Sequence, residues 1–300
     1  MKNIKFFGSI PAIVTPFKKN GTLDLPALKK LVKYQLAGGI DAIVPCGSTG
    51  EAATLNDEEY ATVIKTVVDV VAGKIPVIAG AGSNNTQRAI HLSKIAKRMG
   101  ADALLHVTPF YNKPTPAGLV AHFKAIAQSI NLPIVLYNVP GRTGSNVPPS
   151  VIVRIAREVG SVKAVKEASG SITQMMEIIN EVLKNGPKDF AVLSGDDAFT
   201  LPLIAAGGHG CISVVCNEAP KLFSDMVHLC LEGNFTEGRR LHYTLLDLMN
   251  INFVESNPIP VKTALSMMGM IEESFRLPLV KLEDKNRPAI EKIITNLHLK

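Results

Sequence analysis

Short apolar runs alternate with longer stretches of helical periodicity along most of the chain. The apolar runs lie near residues 10–14, 41–45, 76–80, 103–107, 133–137, 162–166, 190–194 and 210–215. Runs of this length that are separated by helical patterns predict parallel strands joined by crossover helices. We therefore expect an α/β protein built from repeated strand–helix units.

The stretches between the runs carry apolar residues three and four positions apart, the spacing of one helix face. They predict helices at Leu25–Ala37, Glu58–Val71, Gln87–Met99, Ala117–Ile130 and Ile172–Leu183. Asn56 or Asp57 is expected to cap the second of these helices, and Asn85 or Thr86 the third.

Eight strand–helix pairs are the number that closes a (β/α)₈ TIM barrel. The alternative is a doubly wound open sheet, which normally carries a glycine-rich turn after its first strand. Here the first run leads into Thr15, Pro16 and Phe17, so we expect the barrel. We assign it to residues 1–232. Residues 233–300 show helical patterns without a clear strand and predict a C-terminal helical region.

Composition narrows the possible classes of partner. The 300 residues are 46% apolar and 19% charged, which suits a substantial core, and the net charge is +6. Lysines and arginines are scattered without aromatic interleaving, so no nucleic-acid-binding stripe is indicated. Gly8 and Pro11 interrupt the apolar N-terminus before a signal peptide forms. Leu201–Asn217, the longest uncharged stretch, contains Pro202 and is a poor membrane span. We expect a cytoplasmic protein.

The cysteines and histidines do not indicate a metal site. The four cysteines form no C-x-x-C pair and have no histidine at metal-ligand spacing; they are Cys46, Cys211, Cys216 and Cys230. Small buried thiols are the expected state. His106 and His209 are too isolated to indicate zinc. We expect no metal and no cofactor.

The stretch SVKAVKEASG at 161–170 reads as a strand, yet it contains two lysines. Side chains alternate between the faces of a strand, so Val162, Ala164 and Lys166 are expected to share one face. If that face is the core, Lys166 ends a buried row, where a lysine is costly unless it is paired or functional.

Polar residues follow most of the other apolar runs. In a barrel, these strand ends meet at one mouth, which holds the active site. A lysine in such a low-dielectric pocket has a lowered pKa and, as a neutral amine, attacks a ketone to form a Schiff base. Tyr137 with Ser48 or Thr49 suits the proton transfers of that reaction. The backbone N–H groups of the 47–50 turn suit one carboxylate, and Arg142 suits a second.

Each of these residues also has a structural interpretation. A lysine at a strand end is commonly a surface residue that pairs with a neighbour such as Glu167. Tyr111 and Tyr137 are equally compatible with packing at the barrel mouth. Asp196 and Asp197 are candidate metal ligands, although we expect them to cap a helix.

Three motifs together resemble a known family. GSTGE at 47–51, YNVPGRT at 137–143 and VKEASG at 165–170 resemble the pyruvate-dependent Schiff-base aldolases and lyases related to N-acetylneuraminate lyase and dihydrodipicolinate synthase. The resemblance extends from about Gly8 to NPIPVK at 257–262. It implies that Lys166 is the Schiff-base lysine and that the lysine itself serves as the electron sink.

Arg142 places the resemblance with the dihydrodipicolinate synthases, in which this arginine holds the carboxylate of aspartate semialdehyde. The implied reaction is the condensation of pyruvate with L-aspartate 4-semialdehyde to 4-hydroxy-tetrahydrodipicolinate, in diaminopimelate and lysine biosynthesis. The resemblance implies a proton relay of Tyr137, Thr49 and Tyr111, the last from a neighbouring subunit of a homotetramer. It also implies substrate contacts from Ser48, Thr49, Gly195, the Ile212 carbonyl and Asn257.

The sequence departs from that pattern at two places. Position 48 is serine, where many of these synthases have threonine and neuraminate lyases often have serine. The polar ligands with which lysine-sensitive members bind lysine are also replaced, by Asp57, Tyr60, Arg88 and Phe110. Because Arg88 replaces a carboxylate that would face the lysine ammonium, attraction becomes repulsion. We predict weak or absent feedback inhibition by lysine.

Two alternatives compete with the synthase. One is another pyruvate lyase or aldolase of the same fold, acting on a sugar acid or a hydroxy-oxoglutarate. Arg142 argues against a neutral sugar aldehyde. The other is a non-catalytic barrel that only binds a keto acid, against which the presence of Lys166, Tyr137 and Thr49 together argues.

Overall fold

A curled parallel sheet occupies the centre of the molecule. The structure, a computed structural model, describes residues 4–299. Seven strands form the sheet in the order β1-β7-β6-β5-β4-β3-β2. They are β1 (Gly8–Pro11), β2 (Ile78–Gly80), β3 (Ala103–Val107), β4 (Ile134–Asn138), β5 (Val162–Glu167), β6 (Ala191–Ser194) and β7 (Gly210–Ser213).

The segment predicted as the second strand, 41–45, closes the sheet without forming a regular strand. Ile43 and Val44 make isolated parallel bridges to Val77 and Ala12. The Val44 N–H donates to the Pro11 carbonyl at 2.8 Å, and the Ile78 N–H donates to the Ile43 carbonyl at 2.9 Å. The prediction of eight regular strands is therefore wrong at one position, whereas the barrel is confirmed.

The shortness of this segment has a local cause. Pro45 has no N–H to continue a ladder. Cys46 then adopts a left-handed backbone with φ 57° and turns the chain away from the strand direction.

Among residues 4–299, nine helices accompany the strands. They are α1 (Leu25–Ala37), α2 (Asp57–Val71), α3 (Thr86–Arg98), α4 (Pro116–Ser129), α5 (Pro140–Thr143), α6 (Pro149–Glu158), α7 (Ile172–Asn185), α8 (Thr200–Ala205) and α9 (Pro220–Leu231). Asn56 caps α2 in a reciprocal capping box with Glu59, and Asn85 caps α3. Both caps are among the predicted candidates, because a side-chain oxygen there satisfies first-turn N–H groups.

Alternation along the strands separates two hydrophobic layers. Leu105, Val135 and Ala164 point into the barrel, whereas Leu104 and Leu136 pack outward against the helices. Val162 was expected to share a face with Ala164, but it belongs to the outer layer. A register shift explains the difference, since Ile134 pairs with Val162 and the next residue, Val135, pairs with Ala164.

Three further helices lie between α9 and residue 299: α10 (Phe235–Ile251), α11 (Ile259–Met267) and α12 (Arg287–Asn296). The expected boundary between 232 and 233 falls in the turn from α9 to α10. One hydrophobic cluster includes Phe223 of α9 and Leu245 of α10, on either side of that turn. As a domain boundary, 232/233 stays a prediction. Within residues 4–299, the helices are all too short or too polar to cross a bilayer.

Candidate active site

Lys166 lies at the carboxyl end of β5, and its side chain points into the barrel mouth. It is only 5% exposed. Its Nζ lies 4.3 Å from the ring centroid of Tyr137, which is its direct partner on β4. Across residues 4–299, no carboxylate forms an ion pair with this ammonium.

Glu167 does not pair with Lys166, because adjacent residues of a strand face opposite sides. The buried Glu167 carboxylate accepts hydrogen bonds from Asn138 Nδ2 at 2.9 Å and from the Ser169 N–H at 2.7 Å. The structural interpretation of Lys166 as the ion-pair partner of Glu167 is therefore wrong. The surface lysine of this strand is Lys163, which pairs with Asp189 at 2.8 Å.

The turn after the second segment brings two hydroxyls to the same mouth. The Gly50 N–H donates to the Gly47 carbonyl at 3.0 Å, and the Glu51 N–H donates to Ser48 at 3.1 Å. Gly80 makes room for this turn, since a Cβ there would lie 2.1 Å from the Cys46 carbonyl oxygen. Within the turn, Ser48 is exposed and Thr49 is buried.

Most of the predicted site residues line a cavity of about 100 Å³. Its wall includes Ser48, Thr49, Tyr137, Arg142, Lys166, Gly195 and Asn257. The side chain of Lys166 fits because position 195 is glycine: a Cβ there would lie 3.0 Å from Lys166 Cε and 2.7 Å from the Ala168 Cβ. Ile212 belongs to the inner hydrophobic cluster rather than to the wall of this cavity.

Asn257 and Arg142 approach the site from outside the sheet. Asn257 precedes α11, and its Nδ2 donates to Thr49 Oγ1 at 2.9 Å. Its Oδ1 is buried without a hydrogen-bond partner among the described residues. Arg142, on α5, donates from NH2 to the Asn257 carbonyl at 3.1 Å and lines the cavity. No hydrogen bond joins Tyr137 to Thr49 in this chain, although both line the cavity.

Tyr111 is separate from this cluster in the single chain. It is 89% exposed and adopts a left-handed backbone with φ 69°. It follows β3 and is not part of the cavity wall. Its place in the proton relay stays a prediction.

A larger cavity of about 550 Å³ opens beside the first. Tyr60, Arg88 and Phe110 line it, together with Ser48 and Arg142. The Tyr60 hydroxyl donates to the Gly80 carbonyl at 2.8 Å, and burial raises the Tyr60 pKa well above its ordinary value.

Asp57, the fourth of the residues that stand in place of the lysine-binding ligands, is the ion-pair partner of Arg88 in that cavity's wall. It binds Arg88 at 2.6 Å and His91 at 2.6 Å. The hydrogen bond from Arg88, followed by that from His91, lowers the Asp57 pKa. The Asp57 carboxylate is therefore already occupied by two partners.

A fully buried ion pair, which the sequence does not predict, lies next to the site. Glu51 Oε1 accepts from Lys262 Nζ, and both side chains are 0% exposed. Burial lowers the Lys262 pKa, and the Glu51 charge opposes that shift. Both residues stand in quoted motifs, GSTGE and NPIPVK, but nothing in either motif shows that they meet.

The remaining polar candidates have structural partners. Asp196 caps the short 3₁₀ turn 197–199 through the Ala198 N–H, as expected. Asp197 accepts from the N–H groups of Val214 and Val215, and burial raises its pKa to about 6. The four cysteines are buried and free. Among residues 4–299, no three His, Cys, Asp or Glu side chains are placed to hold a metal ion.

The fold and the site define a (β/α)₈ barrel with a buried, unpaired lysine at the carboxyl end of a strand. Residues 5–297 match the model of the dihydrodipicolinate synthetase family, and the chain belongs to that family.

Relatives and solved structures agree with this assignment. The 4-hydroxy-tetrahydrodipicolinate synthase of Maridesulfovibrio salexigens is 51% identical over 95% of this chain and 96% of its own length. That of Methanocaldococcus jannaschii is 48% identical over 98% and 99%. The crystal structure of dihydrodipicolinate synthase from Thermotoga maritima superposes with a TM-score of 0.97 at 44% identity, covering 99% of this chain and 100% of that one.

Proposed function

We propose that the chain is a lyase that condenses pyruvate with L-aspartate 4-semialdehyde to 4-hydroxy-tetrahydrodipicolinate, a step of diaminopimelate and lysine biosynthesis. Family membership and the names of full-length relatives support the reaction. The observation that carries the mechanism is Lys166: it is buried, unpaired and 4.3 Å from the Tyr137 ring centroid.

The first half of the reaction uses Lys166 and the 47–50 turn. The neutral Nζ attacks the keto carbon of pyruvate and expels water, which leaves a protonated imine. Ser48 and Thr49 hold the pyruvate carboxylate against the backbone N–H groups of the turn. The Tyr137 hydroxyl moves the protons of carbinolamine formation and dehydration.

The second half joins the two substrates. Loss of a methyl proton converts the imine into an enamine, whose carbon attacks the aldehyde of the second substrate. Arg142 holds the carboxylate of that aldehyde through its guanidinium. The substrate amine then attacks the imine carbon, closes the ring and releases Lys166. We assign Gly195, the Ile212 carbonyl and Asn257 to substrate contact.

Tyr111 completes the relay only in an assembly. Its side chain is 89% exposed and lies outside the cavity wall of its own chain. We assign it to the site of a neighbouring subunit in a homotetramer. A cytoplasmic location stays a prediction of the sequence.

A panel of aldehydes tests the reaction. Pyruvate consumption is measured with aspartate semialdehyde, N-acetylmannosamine and glyoxylate, for the wild type, for Arg142→Ala and for the control Arg154→Ala on the exposed face of α6. We expect turnover with aspartate semialdehyde alone, a collapse in Arg142→Ala and little change in the control. Turnover with another aldehyde that is indifferent to Arg142→Ala would move the chain to a different lyase reaction.

The residues at positions 57, 60, 88 and 110 support the proposal that lysine inhibits the enzyme weakly or not at all. Arg88 presents a cation to the cavity, and Asp57 is already bound by Arg88 and His91, so a lysine ammonium finds neither attraction nor a free carboxylate there. Initial rates at rising lysine concentration test this for the wild type and Arg88→Glu. Half-inhibition of the wild type at sub-millimolar lysine would contradict it. Stronger inhibition of the variant would identify the charge as the cause.

A further inference from the structure

The Glu51–Lys262 pair is the most deeply buried ion pair among the described residues, and its surroundings keep it dry. Lys262 Nζ lies 4.5 Å from the ring centroid of Phe17 and 5.0 Å from that of Phe275. The second Glu51 oxygen accepts from the Arg276 N–H at 3.3 Å. Both charges are therefore removed from water and partnered within the protein.

Stability alone gives little reason for such a pair. Removing two charges from water costs about as much as their attraction returns, and apolar residues of similar volume commonly serve as well. A buried ion pair differs from apolar packing in fixing direction and distance between two segments. The role of the pair therefore depends on the two segments that it joins.

The pair joins the turn 47–51 to the helix α11. Glu51 ends the turn that carries Ser48 and Thr49, and it has a left-handed backbone with φ 51°. Lys262 lies on α11, just after Asn257, whose Nδ2 donates to Thr49 Oγ1 at 2.9 Å. The turn and the segment 257–262 are thus joined twice. Asn257 and Thr49 form the contact at the cavity, and Lys262 and Glu51 form the buried one.

The position of Arg142 depends on the same contacts between the turn and the segment 257–262. Its NH2 donates to the Asn257 carbonyl at 3.1 Å, so the position of the residues before α11 also sets the position of the guanidinium. A displacement of α11 relative to the turn would move Asn257, and the carbonyl that Arg142 binds, away from Thr49.

We propose that Glu51 and Lys262 are positioning residues that clamp α11 onto the 47–51 turn and thereby hold Thr49, Asn257 and Arg142 in register around Lys166. The inference rests on the proposed function. It adds two residues that touch neither substrate and act through the groups that do.

The test compares Glu51→Gln, Lys262→Met and the double variant by thermal unfolding, by steady-state kinetics with pyruvate and aspartate semialdehyde, and by borohydride trapping with pyruvate alone. Each single variant leaves one buried charge unpaired and is expected to lose both stability and activity. The double variant removes both charges, so its Tm is expected to recover toward the wild-type value.

The kinetic result of the double variant separates positioning from simple stabilisation. We expect kcat/KM for pyruvate to stay on the order of 100-fold below wild type despite the recovered Tm, since small misplacements of substrate-binding groups are costly. The rate of borohydride trapping is expected to fall in parallel. Recovery of kcat/KM together with Tm would overturn the proposal.

Two control variants change residues in or near α11 but leave the Glu51–Lys262 ion pair in place. Leu265→Ala opens the buried face of α11, and Arg287→Met breaks the half-buried bond between Arg287 and Glu273 at 2.7 Å. Both are expected to lower Tm while leaving kcat/KM near wild type at a permissive temperature. A loss equal to that of Lys262→Met would overturn the proposal. Absence of wild-type turnover with these substrates would instead contradict the proposed function.

Discussion

Lys166 and Lys262 are both buried beside the same mouth of the barrel, but their surroundings differ. Lys262 has a carboxylate partner, Glu51, and aromatic rings around it. Lys166 has the Tyr137 ring and an adjoining cavity, without a carboxylate among the described residues. One lysine is neutralised by its neighbour, whereas the other faces space for a small molecule.

The difference shows that burial alone does not make a lysine reactive. A carboxylate in contact stabilises the ammonium and occupies the direction from which a ketone would approach. At Lys166 the neighbouring carboxylate, Glu167, points to the other side of the strand and is satisfied by Asn138 and Ser169. The alternation of a β-strand thus keeps acid and amine apart although they are adjacent in sequence.

The largest expected effect separates the two lysines directly. Lys166→Met is expected to abolish the borohydride-trapped pyruvate adduct and to lower kcat by about 10⁴-fold or more, because the nucleophile is lost. Lys262→Met is expected to form the adduct more slowly but still at Lys166. Intact-protein mass spectrometry checks both. An adduct in Lys166→Met would place the Schiff base on another lysine.

Tyr137→Phe keeps the ring beside Lys166 and removes only the hydroxyl. We expect kcat to fall about 10²- to 10⁴-fold, the usual contribution of a positioned proton-transfer group. Tyr243→Phe, at a side chain that is 66% exposed, serves as the matched control. Steady-state kinetics that show equal rates for the two variants would remove Tyr137 from the proton relay.

Gly195→Ala tests the space that Lys166 requires. Its Cβ would meet Lys166 Cε at 3.0 Å, so the amine is expected to shift and kcat/KM for pyruvate to fall about tenfold. A Cβ at Gly160 meets nothing within 4 Å, which makes Gly160→Ala the control. If kcat/KM for pyruvate in Gly195→Ala matches that of the control, the spatial requirement is disproved.

The smallest expected effect extends the comparison to buried carboxylates. Glu51 has a cation, whereas Asp197 accepts hydrogen bonds from the N–H groups of Val214 and Val215 and from the Cys211 thiol at 3.7 Å, and burial raises its pKa from 3.8 to about 6. Because the folded pKa exceeds the unfolded one, the stabilisation is complete below pH 3.8 and is lost as the pH rises through 6.

We therefore expect the wild type to lose about 2 kcal/mol more unfolding free energy than Asp197→Asn between pH 4.5 and 6.5. Urea unfolding at the two pH values measures the difference. Glu218 is present in both proteins; burial is the largest cause of its raised pKa, and the Asp197 charge adds a smaller part, which the variant removes. The same pH dependence in both would mean that Asp197 is already ionised across this range.

Much of the fold is predictable because its signals are local. The helix caps Asn56 and Asn85 act within one turn of themselves, and the short apolar runs near 103–107 and 133–137 are visible without a distant partner. The segment 41–45 was misassigned because the turn at Pro45 and Cys46 limits its pairing. Val162 was placed on the wrong face because the register shift is a property of two strands together.

The candidate site was predictable for a related reason. Lys166, Tyr137 and Thr49 stand at strand ends, and the barrel brings all strand ends together. The exposure of Tyr111 outside the cavity and the meeting of Glu51 with Lys262 have no local signal. The Glu51–Lys262 contact joins residues 211 positions apart, and no periodicity specifies a pair at that separation.

That separation also sets the order in which a growing chain acquires its parts. Lys166 and the turn that carries Thr49 are synthesised before α11 exists, so the ion pair to Glu51 forms only after Lys262 emerges from the ribosome. A chain that ends before residue 257 has its reactive amine but lacks the contacts that Asn257 and Lys262 make with the 47–51 turn. A segment translated after the whole barrel is therefore the one that we propose positions Thr49, which is among the first site residues to be made.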